Sequence, residues 1–119
     1  MKQVILISFA LLAIGCIKKY KGTTRVCGGK FYVESFNVNP AGVDEDYFTD
    51  SINFRVYVGK FDNEHENFSY VCNGDSIKVM KSVMDGYGNK MKISDSKMLS
   101  LVDLKDKKVS NNKPLFEFK

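Results

Sequence analysis

Three cysteines, a run of carboxylates and one histidine are the side chains of this chain whose types and spacing could do chemistry. Cys16, Cys27 and Cys72 are an odd set, and in an exported protein an odd cysteine is a reactive thiol unless something else consumes it. Asp44, Glu45, Asp46 and Asp50 could offer oxygens to calcium, which takes six to eight of them. Their spacing is not that of an EF-hand loop and the required Gly is missing. The stretch therefore reads as a solvated acidic loop, with Asp44, Asp46 and Asp50 as weak candidates and no metal expected. Asp62-Asn63-Glu64-His65-Glu66 sets the single histidine beside carboxylates, but a divalent metal needs more converging ligands than this turn presents alone. His65 would also have to be the base for any hydroxyl nucleophile, and no Ser stands in a Gly-x-Ser-x-Gly turn. Phosphate loops and dinucleotide fingerprints are absent. The expectation is a non-enzyme with no catalytic residue, no cofactor and no small-molecule substrate.

The N-terminus carries an address. Met1-Lys2-Gln3 is a short basic start, Val4 to Gly15 is apolar apart from Ser8, and Ala13-Ile14-Gly15 supplies small residues at a cleavage position, the three parts of an export signal. The apolar run of about 12 residues is shorter than the roughly 20 that span a bilayer as a helix. Leu12-Ala13-Ile14-Gly15-Cys16 resembles the lipobox of bacterial lipoproteins, with Ala13 where Leu is usual and Leu12 one position earlier. That resemblance implies that residues 1–15 are removed and that Cys16 carries a diacylglycerol thioether. The other reading is an ordinary signal peptidase site after Gly15, which would release a soluble chain with an unmodified Cys16. Lipidation of Cys16 resolves the odd count. Cys27 and Cys72 are then an even pair in a compartment that permits disulfides, and a bridge between them is expected, with two separate buried thiols as the alternative.

The formal charge of +4 is divided into zones. Lys18, Lys19, Lys21, Arg25 and Lys30 stand without an acid between residues 17 and 30, Asp44 to Glu66 is net acidic, and the last third is basic again. A basic stretch beside a lipid anchor is attracted to anionic headgroups by roughly 1 kcal/mol per charge. Export removes nucleic acid as a partner, and no nucleic-acid motif accompanies the charge. With Gly22, Gly28 and Gly29 and few large apolar residues, 16–30 reads as a lipidated Cys and a basic tether, leaving 31–119 as one domain.

Nine Phe and six Tyr with no Trp favour pleated, half-buried surfaces. Phe31 to Val38 reads as a strand ended by Asn39-Pro40-Ala41-Gly42. Ile52, Phe54, Val56 and Val58 alternate with polar residues as a strand buried on one face must. Asn73-Gly74 suits a type I′ hairpin turn, pairing Cys72 with Asp75, Tyr70 with Ile77, Phe68 with Val79 and Glu66 with Lys81, with the face of Cys72 inward. Asp85-Gly86-Tyr87-Gly88-Asn89 reads as a second turn before a strand with Met91 and Ile93. Ser100 is placed to cap a short helix through Asp103, although a strand over 97–104 is an alternative. Leu115 to Phe118 alternates as a closing edge strand. The expected fold is mainly β, an antiparallel sheet, sandwich or meander of about five or six strands with one short C-terminal helix.

These readings point to a membrane-anchored envelope protein with a non-enzymatic binding or structural role, held through lipid at Cys16 and available to an envelope protein partner. The chain resembles small uncharacterised lipoproteins of Bacteroidetes-type bacteria, and Lys18 and Lys19 after the anchor favour retention facing the periplasm. The alternative is an inhibitor or immunity lipoprotein acting on a hostile enzyme. Tyr70-Val71-Cys72, Gly74 and Val79 are loosely similar to the start of the membrane-bound lysozyme inhibitors, and Asp44 to Glu66 is the stretch that could face a basic lysozyme.

Overall fold

Seven strands and one helical turn and a half make up the computed structural model, which describes residues 18–38, 42–84, 91–106, 108, 110 and 113–118. The strands are β1 (Lys18–Val26), β2 (Phe31–Val38), β3 (Val43–Thr49), β4 (Arg55–Asp62), β5 (Glu66–Asn73), β6 (Ser76–Met84) and β7 (Met91–Ser100), followed by helix α1 (Leu101–Asp106). They form two antiparallel meanders, a four-stranded sheet β1-β2-β3-β4 and a three-stranded sheet β5-β6-β7. The mainly-β fold is as the aromatic-rich composition suggests, with seven strands among the described residues where about five or six were expected, and a short C-terminal helix after Ser100. Residues 1–17, with the expected export signal and Cys16, Asn39-Pro40-Ala41, the turn expected at 85–89 and Lys107 lie outside the described residues.

The core lies between the sheets. Six of the nine Phe (Phe31, Phe48, Phe54, Phe61, Phe68 and Phe116) are buried there with Val33, Val56, Val58, Ile77 and Val79, while Leu101 and Leu104 of α1 close one end. Aromatic contacts show how β5 runs over the larger sheet. Phe68 meets Phe61 of β4 edge to face at 4.9 Å, Tyr70 stacks on Phe48 of β3 at 5.8 Å, and Cys72 is bridged to Cys27 in the turn after β1. The strand thus crosses from the β4 side to the β1 side. The expected Cys27–Cys72 disulfide is present, with a Cα–Cα distance of 5.5 Å.

Four expectations need correction. Residues 18–26, read as tether, pair along their length with β2, so the domain boundary drawn at residue 31 falls inside a sheet. The acidic "loop" from Asp44 to Thr49 is the interior strand β3, paired on both sides. The hairpin turn uses Gly74-Asp75 rather than Asn73-Gly74, so Cys72 faces Ile77, Tyr70 faces Val79 and Phe68 faces Lys81. Gly74 alone takes a positive φ (61°), which suits the first central position of a type II′ turn, whereas type I′ needs positive φ at both central residues. Because the displacement is two places, the inner face survives unchanged. Finally, Leu115 to Phe118 is not a strand, although Leu115 and Phe116 donate backbone hydrogen bonds to Tyr57 and Val58 along the outer edge of β4.

The helix and strand readings of 97–104 are each half right. β7 continues to Ser100, whose Oγ then accepts from the Asp103 amide at 3.2 Å and starts α1, so the serine is where pairing stops and capping begins. Ile52 is also displaced, being 87% exposed, because the Asp50 carboxylate accepts the backbone amides of Ile52, Asn53 and Phe54 and folds the entry to β4 into a turn. The alternation of Phe54, Val56 and Val58 into the core holds.

Three strands carry register breaks. β1 breaks between Tyr20 and Gly22, β7 breaks opposite Lys81 and Ser82, and β4 places an extra residue opposite Asp46 and Tyr47. The last needs Gly59, whose φ is +139° and whose substituted Cβ would stand 2.6 Å from the Phe116 carbonyl oxygen. Gly59→Ala should therefore cost about 2 kcal/mol or more, through backbone strain and displacement of the C-terminal segment, read as a lowered midpoint in urea unfolding. An unchanged midpoint would mean that the segment moves away freely.

Candidate functional site

β3 is the unusual strand, because Asp44, Glu45 and Asp46 occupy consecutive positions and are 2%, 2% and 5% exposed. A buried carboxylate is tolerated only with donors around it, and each of the three has its own set. Asp44 accepts Lys21 Nζ at 2.6 Å, Asn37 Nδ2 at 3.1 Å and Asn63 Nδ2 at 3.2 Å. Burial pushes its pKa up, but these bonds and the Lys21 charge outweigh burial and hold it below the ordinary value. Asp46 accepts Ser35 Oγ at 2.8 Å and the Tyr70 hydroxyl at 3.0 Å, a polar tie between the two sheets. Both donors are neutral, so burial prevails and its pKa is raised. Tyr70, half-buried with its hydroxyl beside that carboxylate, is raised well above the usual phenol value through desolvation and the Asp46 charge.

Glu45 points to the other face of the sheet. Lys18 Nζ lies 2.6 Å from its carboxylate and the Tyr57 hydroxyl donates to it at 2.8 Å. Burial pulls the Lys18 pKa down, but bonding to Glu45 and Tyr47 outweighs this and raises it, while desolvation and Glu45 push Tyr57 up. Lys18 and Lys21 both reach across β2, so two bases of the zone at 17–30 are paired with two of the three acids at 44–46.

Around Glu45 the outer face of the larger sheet is paved with rings, one from each strand. Tyr20 meets Phe36 at 5.6 Å, Phe36 meets Tyr47 at 5.6 Å, and Tyr47 stacks on Tyr57 at 4.9 Å. The Arg55 guanidinium lies 3.9 Å from the Tyr47 ring centroid and pairs with Glu34 at 3.1 Å. Beyond Arg55 the surface opens into a hollow of about 430 Å³ lined by Ile52, Asn53, Thr49 and Glu34. The row offers ring faces with a polar rim, next to an open hollow.

The sequence-based candidates are not brought together as a calcium site. Asp44 and Asp46 share a face of β3 but are saturated by separate donors, and Asp50 is occupied by the three backbone amides and Asn53 Nδ2. Among the described residues, no three His, Cys, Asp or Glu side chains gather to hold a metal ion. Of the acids between Asp44 and Glu66, Asp44, Glu45 and Asp46 are buried, while Glu64 is exposed and Asp50 and Asp62 are half-buried. The aromatic row had a weak sequence signal at most, because its members come from four strands and only the register aligns them.

Asp46 gives a signed pH prediction. A carboxyl whose folded pKa is raised costs stability when ionised, and the cost disappears as pH falls through the folded value. Asp46→Asn should thus be more stable than the parent at pH 7, and the gain should shrink to nothing towards about pH 3, where the carboxyl is protonated in both states. Asp44, with its lowered pKa, has the opposite sign and is present in both proteins, and loss of the neighbouring Asp46 charge favours its ionised form, which adds to the gain at pH 7. Chemical denaturation at the two pH values measures the difference; a loss at pH 7 would show that the Ser35 and Tyr70 bonds outweigh the burial of charge. Comparisons with family models, curated proteins and solved structures find no match to this chain.

Proposed function

We propose that this chain is a lipid-anchored protein of a bacterial cell envelope, facing the periplasm, with a non-enzymatic binding or structural role. The observation that carries the reading is the closure of Cys27 with Cys72, which leaves Cys16 as the odd one of three cysteines, two residues before a strand that starts at Lys18. A thioether-linked lipid at Cys16 accounts for that residue, and the apolar segment before it accounts for export. With only Ile17 between the anchor and β1, the domain stands directly on the bilayer surface. The binding role is supported by the ring pavement and the hollow beside it, and by the internal saturation of the buried carboxylates. No buried side-chain nitrogen or oxygen among the described residues lacks a hydrogen-bond partner.

The test is the intact mass of protein purified from membranes, alkylated before and after reduction. Expected is a chain starting at Cys16 with added acyl mass, with two thiols appearing only on reduction. An unmodified Cys16 or an uncleaved Met1 would overturn the anchor.

A further inference from the structure

Apart from Met1, the methionines of this chain are Met80, Met84, Met91 and Met98, and the strand register collects all four on one side of one sheet. In β6 the buried Ile77, Val79 and Lys81 point to the core, so Met80 and Met84, with the opposite parity, face outward. Met91 pairs directly with Met84, and Met98 pairs with the outward Lys78. Among the described residues of the three strands no carboxylate shares this face, because the acids Glu66 and Asp95 fall on the inner one.

The row at the end of the sheet is extended by the histidine. The Met84 amide donates to the His65 carbonyl at 2.7 Å, which makes His65 the next rung after Glu66↔Val83 and brings it alongside Met84. His65, Met84 and Met91 thus stand side by side at one end of three neighbouring chain segments. The imidazole is oriented. Its Nδ1 lies 3.0 Å from Asp62 Oδ2. With Nδ1 held against that carboxylate, Nε2 is the ring nitrogen that remains for a metal. A histidine whose second nitrogen is fixed by a carboxylate is the arrangement that metal-ligating imidazoles use.

We propose that His65, Met84 and Met91 form a binding site for Cu(I). Cross-strand partners have Cβ atoms about 5 Å apart, and methionine has three rotatable bonds, so both thioethers and Nε2 can converge on a single ion. Thioether sulfur with imidazole is a soft donor set that selects Cu(I) and rejects calcium and magnesium, which need oxygens. Accessibility is in place, with the His65 side chain 61% and Met91 42% exposed. The site does not depend on the lipid anchor.

The experiment uses the full chain carrying Cys16→Ser, which removes the competing thiol and leaves the Cys27–Cys72 bridge intact. Cu(I) is presented under argon as its bicinchoninate complex, and Ag(I) serves as a redox-inert stand-in. Expected is the transfer of one ion per chain, lost in Met84→Leu/Met91→Leu and retained in Met80→Leu/Met98→Leu. Leucine keeps the volume and apolarity of methionine, so thermal unfolding should be nearly unchanged in both and an apolar role would be preserved. Asp62→Asn should weaken binding about 10- to 100-fold by releasing the imidazole. Failure of the parent to take Cu(I) from the chelator, or equal loss in the two double variants, would overturn the site.

Discussion

Replacing both Cys27 and Cys72 by alanine will lower stability by about 4 kcal/mol in the chain-entropy description of a cross-link closing 45 residues. For a domain of this size that is a large part of a total of roughly 5–15 kcal/mol. The location matters as much as the loop length. The two sheets follow one another through a tight turn after β4, where His65 N–H donates to the Asp62 carbonyl at 3.1 Å, so the direct link from β4 to β5 lies at one end. The disulfide joins β5 to the turn after β1 at the far side, and Cys27 holds a left-handed φ of 58° there that alanine would have to keep. Urea unfolding of the parent with and without reductant, beside the double variant, measures the effect. A drop below about 1 kcal/mol would mean that the aromatic packing of Phe48 with Tyr70 and Phe61 with Phe68 suffices to keep the sheets together.

The second large effect is expected at Glu66→Ala. Lys81 lies on the inward face of β6 opposite Phe68, and its side chain is 11% exposed. Its ammonium is 3.1 Å from Glu66, 17% exposed, whose other oxygen accepts the Asp62 amide at 2.8 Å. Truncating the glutamate leaves a largely desolvated cation and an unpaired amide, and breaking such a pair costs about 3–5 kcal/mol. Removing the charge instead is cheaper. Lys81→Met keeps the stem and discards the ammonium, so it should change stability by no more than about 1 kcal/mol, and in the Met background Glu66→Ala should lose most of its effect. Denaturant midpoints of the four proteins give the coupling. If Glu66→Ala alone costs under about 1 kcal/mol, water reaches the pair and it behaves as a surface ion pair.

Much of this architecture could be read from local pattern. Phe31 to Val38, the inward Phe54, Val56 and Val58, the hairpin around Gly74 and the Ser100 cap each announce themselves within a few residues. β1 and β3 did not, for two different reasons. β1 is an outer strand with its side chains mainly exposed, so no alternation of apolar residues marks it, and its Lys and Gly residues look like a tether. β3 buries acids, and what makes burial tolerable lies far away in sequence. Asp44 is met by Lys21 and Asn63, and Asp46 by Tyr70, so carboxylates that suggest a solvated loop become interior only after the register is set. The same holds for the ring pavement and for the His65–Met84–Met91 row, whose members are neighbours across strands rather than along the chain. The hairpin slipped by two because Asn-Gly and Gly-Asp are both good turn pairs, and the φ of a single residue decides between them.

The register breaks in the outer strands have a bearing on crowding. A strand at the rim of a sheet is a template on which a second molecule can grow, and proteins held at high density are the most exposed to it. On β1 only Lys18, Lys19 and Tyr20 stay in step before the break, two of the three carrying like charges, and β7 turns Asp95 and Lys97 inward beside its own break. An approaching copy finds the ladder split, into three and five rungs on β1 and into three and six on β7. The chain is thereby built to stay separate from its neighbours where fibril growth along sheet edges would otherwise begin.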